Sequence, residues 1–201
     1  KVGIGLNIWR NTIGVSQTMN IEGAYAYRLQ MDEGTLGIGL MGSGRYLQSD
    51  FAKTDPIQSG DPTIAVGMQS KFVPNFGVGA YFSNDKFFVG ASAPRILQNN
   101  IDLGDDQTVI SREFRHLYLM GGLVFPLSEN TEFQPQILIK YVQNAPLDAD
   151  LNMNLIFLKK YSVGASYRFG GSTEQGIGES VDILLGAQLT EDFMIGFAYD
   201  V

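Results

Sequence analysis

The residues best suited to chemistry are few and scattered. Asp148 and Asp150 stand two apart beside Pro146, a spacing at which two carboxylates could share acid–base work. No nucleophile or base accompanies them, so a turn is the expected role. Asp102–Asp106, reading DLGDD, offers oxygens to calcium but lacks the ligand spacing of a calcium loop. The single histidine, His116, sits beside Arg115 on a face of small residues, where a structural hydrogen bond is expected. With one histidine and no cysteine, a disulfide framework, a thiolate nucleophile and a cysteine metal site are excluded. GIG (3–5 and 37–39), GSG (42–44) and GVG (77–79) have the look of phosphate-binding loops. They keep a two-residue period inside strands, however, and no helix follows to present its N-terminus to phosphate. No catalytic, metal or cofactor site is expected, and the chain reads as non-enzymatic.

The elements that carry these residues are strands throughout. Val2, Ile4, Leu6 and Ile8 alternate with Gly3, Gly5 and Asn7, and Ile21, Gly23, Tyr25, Tyr27 and Leu29 alternate with smaller or polar neighbours. Leu36–Leu40, Phe76–Phe82, Phe87–Ala91, Leu117–Phe125 and Phe133–Tyr141 continue the pattern. Leu151–Phe157, Tyr161–Phe169, Val181–Leu189 and Phe193–Tyr199 complete a set of eleven predicted strands. Pro135 lies inside one of them and predicts a bulge or a locally unpaired position. Turns are expected at Asp32–Gly34, Asn84–Asp85, Ser128–Asn130, Lys159–Lys160 and Thr190–Asp192. Longer polar segments are expected at Gln48–Ser70, Arg95–Arg112 and Gly170–Gly178. Short turns alternating with long loops suit antiparallel hairpins, although the Lys159–Lys160 turn disturbs that sidedness.

Alternation fits a soluble sandwich or a sheet facing lipid, and composition separates them. Charged residues are 17% of the chain, against about 25% in soluble domains. The face opposite the apolar stripe is rich in Gly, Ala, Ser and Asn, with charge spread thinly over Glu22, Arg28, Lys140, Arg168, Asp182 and Asp200. Aromatics such as Trp9, Tyr46, Phe82, Phe87, Phe125 and Tyr161 fall near predicted strand ends, as interfacial girdles would. The fold expected is an all-β antiparallel transmembrane β-barrel of outer-membrane type, integral to a bacterial outer membrane. A net charge of −7 argues against nucleic acid as a partner. Single-chain barrels have even strand numbers and closed sheets, and the chain opens on a strand at Lys1 without an initiator Met. Residues 1–201 are therefore expected to be one barrel domain incomplete at both ends.

Several ordered segments resemble the PorP/SprF family of the type IX secretion and gliding machinery. They are VGIGLNIW (2–9), GAYAYRL (23–29), NFGVGAYFSNDKFFVGASAPRIL (75–97) and FRHLYLMGGLVFPLSEN (114–130). FQPQILIKYVQNAPLDADLNMN (133–154), YSVGASYRFG (161–170) and IGFAYD (195–200) follow in the same order. The resemblance implies a barrel of about fourteen strands, of which eleven lie here. It implies a non-enzymatic accessory that assists export or surface anchoring of cargo adhesins. The partners implied are the cargo's C-terminal domain and periplasmic or lipoprotein components of the apparatus, besides outer-membrane lipid. A porin-like diffusion channel for small solutes is the alternative. Motif residues that could contact a partner or line a lumen are Arg115, His116, Asn144, Pro146, Asp150, Asn152, Arg168 and Asp200.

Overall fold

The computed structural model describes residues 1–51, 67–103, 111–170, 180–191 and 193–201. Twelve strands arise from the alternating segments: β1 (Val2–Ile13), β2 (Ser16–Met31), β3 (Gly34–Asp50), β4 (Met68–Ser83), β5 (Phe87–Arg95) and β6 (His116–Leu123). They continue as β7 (Phe125–Ser128), β8 (Thr131–Val142), β9 (Asp148–Phe157), β10 (Tyr161–Phe169), β11 (Ser180–Gln188) and β12 (Met194–Asp200). All join one antiparallel sheet in chain order, with β7 pairing β8 beside β6. Among the described residues the strand path begins at β1 and ends at β12. One compact unit comprises Lys1–Tyr27, Gly39–Val78 and Ala93–Arg115, and a second comprises Arg28–Ile38, Gly79–Ser92 and His116–Val201.

Eleven strands match those expected, and the twelfth comes from a break. Gly122 faces Gln136 and Phe125 faces Phe133 in one register, so Leu123 lies opposite Pro135. Pro135 has no N–H to donate, and the ladder lapses there. Val124, beyond the lapse, donates its N–H to Lys86 O at 2.7 Å. Asp148 and Asp150, expected in a turn, begin β9 and are paired along it.

The Lys159–Lys160 turn falls on the side of the short turns. Alternate connections, at 32–33, 84–86, 129–130, 158–160 and 189–193, are all short. Those between them include the long segments, the five-residue β8–β9 link and the two-residue β1–β2 turn. Asn84 closes its turn by accepting the N–H groups of Lys86 and Phe87, both at 2.9 Å. Leu158 and Lys159 both adopt positive φ, 53° and 54°, the geometry of a hairpin turn that favours Asn-Gly. Parts of the Thr190–Asp192 turn, of the DLGDD motif and of the long segments lie outside the described residues.

Burial runs opposite to that of a water-soluble protein. Ile4 is 86% exposed, and Leu6, Phe72, Phe76, Leu119, Ile183 and Phe197 are exposed on the same parity of their strands. Among the described residues the one buried hydrophobic is Val73, at 2%, whereas Asn20, Ser49, Asn75, Glu113 and Ser166 are all buried. The covered face is thus the polar, small-residue face. Trp9, expected near a strand end, sits mid-strand on the parity of Asn7, half-buried and opposite Asn20. Glycine on this face admits close neighbours: a Cβ on Gly122 would strike the Phe88 ring at 2.5 Å. That ring in turn stacks on Tyr81 at 5.8 Å.

Two outcomes follow. Leu119→Arg or Ile183→Arg should lower stability in lipid vesicles by about 2–4 kcal/mol, whereas exposed substitutions in water stay within about 0.5 kcal/mol. Denaturant unfolding followed by the fluorescence of the single Trp reads the difference, and a neutral result would refute a lipid-facing stripe. Leu158→Asn combined with Lys159→Gly should stabilise by about 1–2 kcal/mol, because left-handed backbone costs other residues roughly that much. The same unfolding measurement checks it, and an unchanged midpoint would show the turn to be unstrained.

Candidate functional site

The polar face holds two networks, one in each unit. In the second unit, charges alternate across β8, β9, β10 and β11. Lys140 reaches Asp150 at 2.7 Å and Asp148 at 3.4 Å. Arg168 reaches Asp150 at 3.2 Å and Asp182 at 3.8 Å. Register explains the pairing: Lys140 faces Asp148, Asp150 faces Arg168, and the remaining contacts are diagonal neighbours on one face. Asp150, only 13% exposed, bridges both cations and is the centre of this ladder.

In the first unit, Glu113 is the centre, with its side chain 5% exposed. Its carboxylate accepts from Arg45 at 2.7 Å and from Asn75 at 3.1 Å, and lies 3.4 Å from Arg95. Asn99 donates to it at 3.5 Å. Asn75 also exchanges two hydrogen bonds with the backbone of Leu97, accepting its N–H at 3.0 Å and donating to its carbonyl at 2.9 Å. The segment after β5 is thereby fixed to β3 and β4.

The structure brings some sequence candidates together and separates others. Asp150 and Arg168 are partners, and Asn152 follows Asp150 on the same face, opposite Gln136 and Ser166. Asp200 faces Asp182 across the β11–β12 pair and is exposed. Arg115 donates from Nε and Nη2 to Ile96 O, both at 3.2 Å. His116 opens β6 with its ring stacked on Tyr118 at 6.3 Å. Asn144 and Pro146 are exposed in the β8–β9 link, where Asn144 adopts a left-handed φ of 65°. Sequence reasoning missed Glu113, Arg45, Arg95 and Asn75 as a cluster. Their one signal is polar residues at odd positions of β3 and β4, and Glu113 itself lies in an aperiodic segment. Among the described residues no group of His, Cys, Asp and Glu could hold a metal ion, and no helix is long and apolar enough to cross a membrane.

Polar networks on one face of a sheet whose other face is apolar suit a membrane-embedded sheet, and the family comparison agrees. The model of the type IX secretion system membrane protein family PorP/SprF matches residues 1–201. The chain belongs to the PorP/SprF family. No curated protein and no solved structure matches significantly. PorP/SprF proteins are of the outer-membrane β-barrel type, and this chain is accordingly a membrane component of the type IX secretion system, working with other components of that system. PorP/SprF is not a known enzyme family.

Asp150→Ala should destabilise by about 1–3 kcal/mol, because two cations lose their shared acceptor on a covered face. Asp200→Ala, at an exposed position, should stay within about 0.5 kcal/mol. Equal effects of the two in a vesicle unfolding experiment would show that Asp150 is not the centre of the ladder.

Proposed function

We propose that this chain is a non-enzymatic outer-membrane barrel component that assists export or surface anchoring of cargo adhesins through their C-terminal domain. Further strands pairing with the edges of β1 and β12 complete its single barrel domain, because unpaired backbone groups are not tolerated in hydrocarbon. Family membership supports the secretion role. The observation that favours docking over a solute channel is the filling of the polar face by the chain itself. The Phe88 and Tyr81 rings lie over Gly122 and Gly90 in one unit, and the segment after β5 lies on β4 in the other. Asn144 and Pro146, exposed on the β8–β9 link, are the candidates best placed to meet a partner. Asp150, Asn152 and Arg168 shape the wall behind them, and Arg115, His116 and Asp200 are weaker candidates.

Gentle detergent extraction of the tagged full-length protein, followed by mass spectrometry, should recover a large secreted adhesin and type IX periplasmic or lipoprotein components. Planar bilayers holding the same protein should show no steady conductance. Loss of the cargo together with a stable ohmic current would replace this reading with a diffusion channel.

A further inference from the structure

The segment between β5 and β6 is built like a small ribbon. Its two arms, 96–103 and 111–115, zip together: Glu113 donates its N–H to Asn99 O at 2.8 Å, and Ile101 donates to Ser111 O at 3.0 Å. Between these bonds Asn100 pairs with Arg112 in an antiparallel bridge. The ribbon is tied to β4 along its length. Leu97 is held by Asn75, Asn99 donates to Pro74 O at 2.8 Å, and Lys71 Nζ donates to Asp102 O at 3.0 Å. Close approach at the ribbon's root depends on glycine, since a Cβ on Gly77 would lie 2.7 Å from Pro94 O.

Val73 lies on the same face of β4, between Lys71 and Asn75, both of which grip the ribbon. It is 2% exposed, in contrast to the exposed hydrophobics of the opposite face. Most of these ties involve backbone groups or single amides, and Lys71 adds an ammonium bound to a backbone carbonyl. Glu113 is where a carboxylate of the ribbon meets two guanidinium groups, those of Arg45 of β3 and Arg95 at the end of β5. Its position makes it decisive: removing a buried carboxylate leaves two guanidinium groups with less compensation on a covered face.

We propose that residues 96–103 and 111–115 form a strap latched across the polar face of β3 and β4, with Glu113 as its latch. Releasing the latch lifts the strap and uncovers Lys71, Val73 and Arg45 on that face. The device is independent of which cargo or component the protein serves, so it stands or falls separately from the secretion reading.

The chain has no cysteine, so Val73→Cys introduces a single thiol beneath the strap. In full-length protein in lipid vesicles, a membrane-impermeant methanethiosulfonate should label this thiol slowly. Adding Glu113→Ala should accelerate labelling at least tenfold, with Glu113→Gln giving a smaller rise. Asp182→Ala, which removes an ion pair in the other unit, should leave the rate unchanged. Heat-modifiable migration on gels confirms that each variant is folded, and Glu113→Gln carries the test if Glu113→Ala does not fold. Fast labelling with Glu113 intact would mean that no strap covers Val73. Slow labelling in every variant would mean that Glu113 is not the latch. Equal acceleration by Asp182→Ala would mean general loosening and would also overturn the proposal.

Discussion

Every peptide group in a hydrocarbon medium must find its hydrogen-bond partner within the protein, and this requirement organises the whole chain. It selects strands that pair with their sequence neighbours, with short turns at every second connection. It also explains why one missing N–H, at Pro135, is enough to split a strand into β6 and β7. The Val124 N–H, next along, is satisfied on the other side by Lys86 O. Once the backbone is satisfied along the sheet, the side chains divide by parity, and the solvent on each face decides which kind is retained.

That division reverses the usual role of polar residues. An apolar interior cannot hold this fold together, because its large hydrophobics lie on the exposed face. The covered face is held by ion pairs and by hydrogen bonds of side-chain amides instead, and these are directional. Asp150 joins three strands only because Lys140 and Arg168 fall at the correct register on either side. Glu113 similarly joins β3 and β5 to a segment that belongs to neither. Such contacts specify geometry more sharply than apolar packing does, and they tolerate substitution less well.

What could be read beforehand follows the same line. The two-residue period of Val2–Ile8 or Tyr161–Phe169 reveals strand and face together, because a side chain's direction in a strand depends only on parity. The charges at Lys140, Arg168 and Asp182 were legible as members of one face, but their pairing was not, since it depends on register between strands. Asp148 and Asp150 looked like turn residues because they stand near Pro146 with no base or nucleophile beside them, yet pairing with β8 and β10 draws them into β9. Glu113 was invisible for a different reason. Arg45 lies 68 positions away from it, and the ribbon that carries Glu113 has no periodicity to mark it. The backbone of Leu158 and Lys159 was equally hidden, because neither residue type announces a left-handed turn.

The length of the exposed apolar stripe carries a mechanical consequence. Tyr161 to Phe169 in β10, or Leu117 to Leu127 across β6 and β7, spans about 20–25 Å at ~3.4 Å per residue and ~45° tilt. A bilayer with the usual hydrocarbon thickness of about 30 Å would have to thin around such a stripe, or leave apolar tails against polar tips such as Arg10 and Gln17. Those tips are joined to each other by a 2.6 Å hydrogen bond beyond the last apolar residue of β1's alternating run. Hydrophobic mismatch thus becomes a term in this protein's folding equilibrium, and thin membranes are the ones in which it fits without deformation.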